Sequence, residues 1–265
     1  MDRPARSAAP AAGISYPFSR PIGLQATALL LALLLSSAAF ASDPWTQAIK
    51  AHDAETVARL VAAGADVNRP GENGQTALML AAAEGRHGLL RVLLARGARV
   101  DAANSRGGTA LMYAATAGDA EAVALLLEHG ASLNARAANG WTALTLAAVR
   151  GFDGVVRLLL ERGADPNIPD IYGWTALMRA ADANRAASVR ALLGAPRTDV
   201  NARDENGHSA LHHAAAQGYE DIVQLLVDAG ADPAARDRDG RTPGTLAALQ
   251  GHQALALRLN GARRN

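Results

Sequence analysis

The sequence has no cysteine and few aromatic residues: three tryptophans, four tyrosines and three phenylalanines among 265 residues. The missing cysteine excludes disulfides, thiol catalysis and cysteine-ligated zinc, so the fold is indifferent to the redox state of its compartment. The shortage of rings means that any core must be built from alanine, leucine and valine, and it makes each tryptophan informative. Charge of one sign is also missing. The formal net charge is +1, and beyond residue 41 there are 23 basic and 24 acidic residues, so no concentrated positive surface for nucleic acid or anionic lipid is expected. Nor is there an apolar run of the ~20 residues that a membrane-spanning helix needs.

The longest apolar run, Leu24–Leu35, follows Arg3, Arg6 and Arg20 and precedes small residues that include Ala39 and Ala41. This layout predicts a secretory leader over residues 1–41, cleaved before Ser42. The alanine-rich composition suggests a bacterial source, and with it a periplasmic or secreted mature chain that touches no membrane after cleavage.

The rest of the chain repeats itself. "TALML" at Thr76 is followed by "TALMY" at Thr109, "TALTL" at Thr142, "TALMR" at Thr175, "SALHH" at Ser209 and "TPGTL" at Thr242, at spacings of 33, 33, 33, 34 and 33. Behind each lies an apolar pattern of helical period, as in "GFDGVVRLLLERGADPN". A leading unit without the threonine motif keeps the second half, "HDAETVARLVAAGADVN", after Asp43-Pro44, a good helix cap and first-turn pair. Each part has a physical task. Asn-Gly or Asp-Gly at 73–74, 139–140, 206–207 and 239–240 supplies the positive φ of a tight turn. Thr or Ser caps the first helix, Ala-Ala pairs allow close helix approach, and glycines at 64, 97, 130, 163 and 230 end the second helix. In the fifth unit Asn184 replaces a glycine, and "GAPRTDVN" carries one extra residue, which marks the expected weak point of the stack.

These residues resemble the ankyrin repeat family, whose unit is 33 residues with a T-P-L-H-x-A-like signature. The resemblance implies an all-α repeat solenoid of about seven stacked helix-turn-helix units with β-hairpin loops, occupying 42–265 and starting near 43, 71, 104, 137, 170, 204 and 237. One unit cannot bury its apolar face alone, so stability comes from stacking, and the mature chain is expected to be monomeric. The resemblance also places the hairpin tips and the open side of the first helix on a concave binding face. The tip residues are then Gln75, Gly108, Trp141, Trp174, His208 and Arg241. Trp141, Ile171, Tyr172 and Trp174, joined by Val149, Arg150 and Asp182, are expected to form an exposed apolar patch for a protein partner, with His208 beside it.

Catalytic motifs are missing too. No G-x-S-x-G, H-E-x-x-H or phosphate-binding glycine loop occurs, so no enzyme activity and no cofactor are assigned. Asp237 and Asp239 read as solvated hairpin residues. His208, His212 and His213 form the one cluster with metal-ligand chemistry. The resemblance makes His212 structural, His213 projects about 100° away from it on the helix, and no neighbouring carboxylate or cysteine completes a recognised spacing, so no metal is assigned. The expected function is a non-enzymatic protein-interaction scaffold. Alternatives are an inhibitory or immunity protein, an effector acting on another cell, or a metal or small-molecule binder at the three histidines.

Overall fold

A computed structural model of the chain describes residues 43–261. The leader expected over residues 1–41 lies outside the described residues. Within them, no helix is long and apolar enough to cross a membrane.

Seven helix pairs follow one another: α1 (Pro44–Lys50) and α2 (Ala54–Ala62), α3 (Ala77–Ala83) and α4 (His87–Ala95), α5 (Ala110–Ala117) and α6 (Ala120–Glu128), α7 (Ala143–Arg150) and α8 (Asp153–Glu161), α9 (Ala176–Asp182) and α10 (Ala186–Leu193), α11 (Ala210–Gln217) and α12 (Glu220–Asp228), α13 (Pro243–Leu249) and α14 (Gln253–Gly261). Each first helix opens at the threonine or serine of its motif. The hydroxyls of Thr76, Thr142, Thr175 and Thr242 accept the amide three residues on, at 3.2 to 3.4 Å. Asp43 caps α1 in the same way, with Pro44 in its first turn.

Leucine and alanine do most of the packing. Leu78, Leu111, Leu144, Leu177 and Leu211 of the first helices are fully buried, as are Leu93, Leu126, Leu159, Leu192 and Leu226 of the second. Successive first helices pack more closely on one another than the second helices do, as alanine pairs such as Ala81-Ala82 and Ala147-Ala148, fully buried, permit. The side carrying the first helices and the inter-unit loops is therefore the inner side of the stack.

Those loops form no regular strand among the described residues, and their single β-bridge joins Ala103 to Thr109. Each loop is nonetheless closed across its base, as where the Asp170 amide donates to the Trp174 carbonyl at 2.9 Å. One amide per loop also reaches back to the preceding unit: Ser105 to Asn73, Ala138 to Arg106, Ile171 to Asn139, Glu205 to Tyr172 and Arg238 to Asn206. The turn needs positive φ at the glycine but not at the Asn or Asp before it, Asn73 excepted. Gly140, at φ +81°, has a second reason to lack a side chain: a Cβ there would stand 2.7 Å from Asp170 Cα in the next loop. Asn184 takes φ +56°, as its replacement of glycine requires.

On the opposite edge, asparagines tie units together. Asn68, Asn134, Asn167 and Asn201 each accept an amide hydrogen from the following unit, at 2.8 to 3.0 Å. The longer loop of the fifth unit keeps this contact, Asp199 N–H to Asn167 Oδ1, and is further held by Thr198 Oγ1 on the Leu192 carbonyl at 2.6 Å. The extra residue is absorbed locally.

Candidate functional site

Three positions recur along the inner side: a loop residue, the tip residue four places on, and a first-helix residue nine places on. Where the loop residue is Asn or Asp, one side-chain oxygen builds the loop. Asn104 Oδ1 accepts the amides of Arg106 and Gly108, both at 2.9 Å. Asp170 Oδ1 accepts Tyr172 and Trp174, at 2.8 and 3.0 Å, and Asp204 Oδ1 accepts Asn206 and His208, both at 2.8 Å. Asp237 Oδ1 accepts Asp239 and Arg241, at 3.0 and 2.8 Å. The other terminus of each side chain is left to meet side chains, and here the units differ.

In the third unit Asn104 Nδ2 donates to the Tyr113 hydroxyl at 2.9 Å. In the fifth, Asp170 Oδ2 takes the guanidinium of Arg179, through Nε at 2.8 Å and through a shorter contact from Nη2. It also accepts Trp141 Nε1 from the preceding tip at 3.1 Å. The Arg179 guanidinium carbon lies 4.3 Å from the Trp174 ring centroid, 5.4 Å from that of Trp141 and 5.9 Å from that of Tyr172, so the cation is boxed by three rings above a buried carboxylate.

In the sixth unit the same positions hold Asp204, His208 and His213. Asp204 Oδ2 lies 3.1 Å from His213 Nε2 and 3.7 Å from His208 Nδ1. His208 Nε2 bonds Asp237 Oδ2 at 3.1 Å, and Arg241 Nε donates to the same oxygen at 2.8 Å. The His213 ring packs on Trp174, centroids 3.9 Å apart. Burial acts to raise the carboxyl pKa of Asp204, but hydrogen bonds from His213 and from the amides of His208 and Asn206 outweigh it and hold the group below its ordinary value. Asp237 is likewise held low against its burial, by the Arg241 amide and side chain and by His208. His212 is pushed down to about 4, first by burial and then by repulsion from His208.

The patch expected from the sequence is only partly on the surface. Ile171 and Tyr172 are exposed, at 52% and 59%. Trp174 is half-buried over Arg179, and Arg150 and Asp182 are half-buried on their helices, with Gln217 Nε2 on Asp182 at 3.2 Å. Trp141 and Val149 are not surface residues: each is 4% exposed. The loop of the fifth unit covers Trp141, whose ring N–H reaches across to Asp170, and the Val149 carbonyl accepts Arg185 Nε at 2.9 Å. Asp237 is not solvated either; its side chain is fully buried, whereas that of Asp239 is open.

The three histidines do not act as a cluster. His212 is buried and faces the helix start, its Nδ1 accepting the Ser209 amide at 3.1 Å. Its place is taken by a carboxylate that the sequence reading passed over, Asp204. Arg179 was also missed. Both stand at positions whose signal is the last letter of the five-residue motif and the loop residue nine places before it. Beside this network lies an open recess of about 280 Å³ lined by Tyr172, Trp174, Arg179, Glu205 and Asn206.

Helix pairs of this length, threonine-capped and joined by loops stacked in register, define a repeat protein of the ankyrin type. The family model for ankyrin repeats matches residues 45–137, 132–204 and 196–263, so the chain belongs to that family. It is 47% identical over 73 residues to human ankyrin repeat domain-containing protein 63, covering 28% of this chain and 19% of that protein. It is 49% identical over 51 residues to human ankyrin repeat domain-containing protein 49, covering 19% of this chain and 21% of that protein. The matches thus span about a fifth of the length of these curated relatives. Among solved structures, the ankyrin repeat domain of Bcl-3, a member of the IkappaB family, matches with a TM-score of 0.71 at 30% identity over 83% of this chain and 98% of that one.

Proposed function

We propose that this chain is a non-enzymatic, monomeric scaffold that binds a partner protein on the inner side of its stack, centred on the tip of the fifth repeat. The observation that carries the reading is the pair Ile171 and Tyr172, two large side chains exposed next to each other in sequence, of which Tyr172 lines the recess. A folded chain with so few aromatics gains nothing from leaving one in water, whereas a ring beside a recess is the form of an interface anchor. Trp174 and Arg179 stiffen the floor beneath it. Family membership supports the coarser part, since ankyrin repeats serve as protein-interaction scaffolds.

The proposed site of action is the periplasm or the exterior of a bacterial cell, which favours a partner met there, such as an enzyme or toxin that the scaffold restrains. This part rests on the leader-like residues 1–41 and on the alanine-rich composition. N-terminal mass spectrometry of the protein from fractionated cells checks it, with a mature chain beginning at Ser42 as the expected result.

The binding reading is tested by capturing a partner with the wild-type chain and measuring its affinity for Ile171→Ser and Tyr172→Ala. Loss of an anchor of this kind costs ~2 kcal/mol or more, about thirtyfold in affinity. Substitution of such exposed residues leaves folding stability within about 0.5 kcal/mol. A captured partner that binds both variants as tightly as the wild type removes the fifth-repeat tip from the interface.

A further inference from the structure

The carboxylate of Asp204 and the imidazoles of His208 and His213 place one oxygen and two nitrogens within 4.8 Å of one another. We propose that these three side chains bind a divalent transition-metal ion of the zinc class, through Asp204 Oδ2, His208 Nδ1 and His213 Nε2. The inference does not depend on the protein-binding reading.

Each donor is aimed before any ion arrives. The Asp204 side chain is fully buried, and its Oδ1 is consumed by two backbone amides, so Oδ2 is turned into the cluster. His208 is held from behind by Asp237, itself fixed by Arg241 and by two amides. A ligating imidazole whose far N–H rests on a carboxylate is the usual outer support of a metal site: it fixes the ring and raises the basicity of the near nitrogen. His213 is held by its stack on Trp174.

With His208 Nε2 on Asp237 Oδ2, the other ring nitrogen, Nδ1, stands 3.7 Å from Asp204 Oδ2. In the fifth repeat the corresponding oxygen of Asp170 is met by the Arg179 guanidinium; in the sixth, Asp204 Oδ2 faces two imidazoles.

The two distances to the carboxylate suit the ion. Metal bonds of about 2.0 to 2.2 Å in tetrahedral array set ligand atoms roughly 3.3 to 3.5 Å apart, and the two contacts to Asp204 Oδ2, 3.1 and 3.7 Å, lie on either side of that. Two nitrogens and one oxygen select zinc, cobalt, nickel or copper over magnesium and calcium, which favour oxygen alone. Three protein ligands leave a coordination position for water or for a group brought by a partner.

The test is a titration of the metal-stripped full chain with zinc chloride, followed by calorimetry and by the imidazole nitrogen resonances. The expected result is one ion per chain, with His208 Nδ1 and His213 Nε2 showing the coordination shift and His212 unmoved. Asp204→Asn, which keeps the loop-building oxygen, and His213→Gln each weaken binding at least ~100-fold; Asp237→Asn weakens it ~10-fold, as loss of an outer support does. His52→Gln, far along the chain, leaves it unchanged. The resonances report on the wild type, so a variant that fails to fold does not decide the matter. Coordination by other histidines, binding that survives His213→Gln, or no binding at all overturns the proposal.

Discussion

The fifth and sixth repeats put the same backbone to two different uses. In both, a loop aspartate spends one oxygen on two amides of its own turn and offers the other to a helix residue nine places on. In the fifth the acceptor meets Arg179, a permanent cation packed among three rings. In the sixth it meets two imidazoles. The fold needs only the first oxygen. What the second one holds is free to vary, and it decides whether a rung of the stack is fastened by a guanidinium or by imidazoles.

The largest expected effect comes from breaking the fastener. Arg179→Met leaves the buried Asp170 carboxylate without its cation, which costs about 3 to 5 kcal/mol. Adding Asp170→Asn to the same chain recovers part of that, because a neutral amide needs no counter-ion. The matching change in the sixth repeat, His213→Gln, removes one hydrogen bond from a group that keeps others and costs about 1 kcal/mol. Urea unfolding of the variants, followed by helical circular dichroism, makes the comparison. Equal losses in the two repeats would mean that the rungs are interchangeable.

Acid should then separate the two repeats. His212 is neutral when folded, its pKa pushed down to about 4 by burial, with His208 and His213 opposing a proton there and Asp237 and the Arg241 backbone favouring one. The unfolded chain takes up that proton near the ordinary histidine value of about 6.5. Below it the unfolded state binds more protons than the folded one, so stability falls as pH drops from about 6.5 to about 4, by roughly 3 kcal/mol for the full shift. Asp204 and Asp237 are held low, so their contribution is complete above the ordinary carboxyl range and is lost only below it. Urea midpoints between neutral pH and about pH 4 are expected to fall in the wild type and to flatten in His212→Gln.

Much of this was legible in the sequence. The period, the caps, the helix-ending glycines and the order of units follow from spacing and from turn chemistry, because each repeat obeys local rules. Ile171 and Tyr172 lie on the surface as their place before the turn glycine suggests. The tryptophans were harder to read. Tip position alone does not tell whether the next loop covers a ring, and Trp141 is covered because Asp170 waits one repeat on to accept its N–H. Arg179 and Asp204, and the partner of His213, were hidden for a related reason: the contacts reach nine residues along the chain or into a neighbouring unit, and a reading in terms of helical faces looks three or four residues away. The fifth letter of the motif, leucine in three units but Tyr113, Arg179 and His213 in the others, is where that difference is written.

The smallest expected effect sharpens the comparison within the second helices. Ser188 of α10 stands where the sixth repeat has Ile222 and the fourth has Val155, and all three are buried. Its hydroxyl has no hydrogen-bond partner, so folding strips it of water and returns nothing. Ser188→Ala removes the stranded group, leaves a side chain of nearly the same size and favours the helix, for a gain of up to about 1 kcal/mol. Ser188→Val restores the apolar character of the neighbouring repeats but adds volume to a closed site, so its gain is smaller or reversed. Thermal melts of the two variants decide between these terms. If Ser188→Ala melts below the wild type, the hydroxyl is bonded in solution, and the fifth repeat, for all its longer loop, carries no weak point in its second helix.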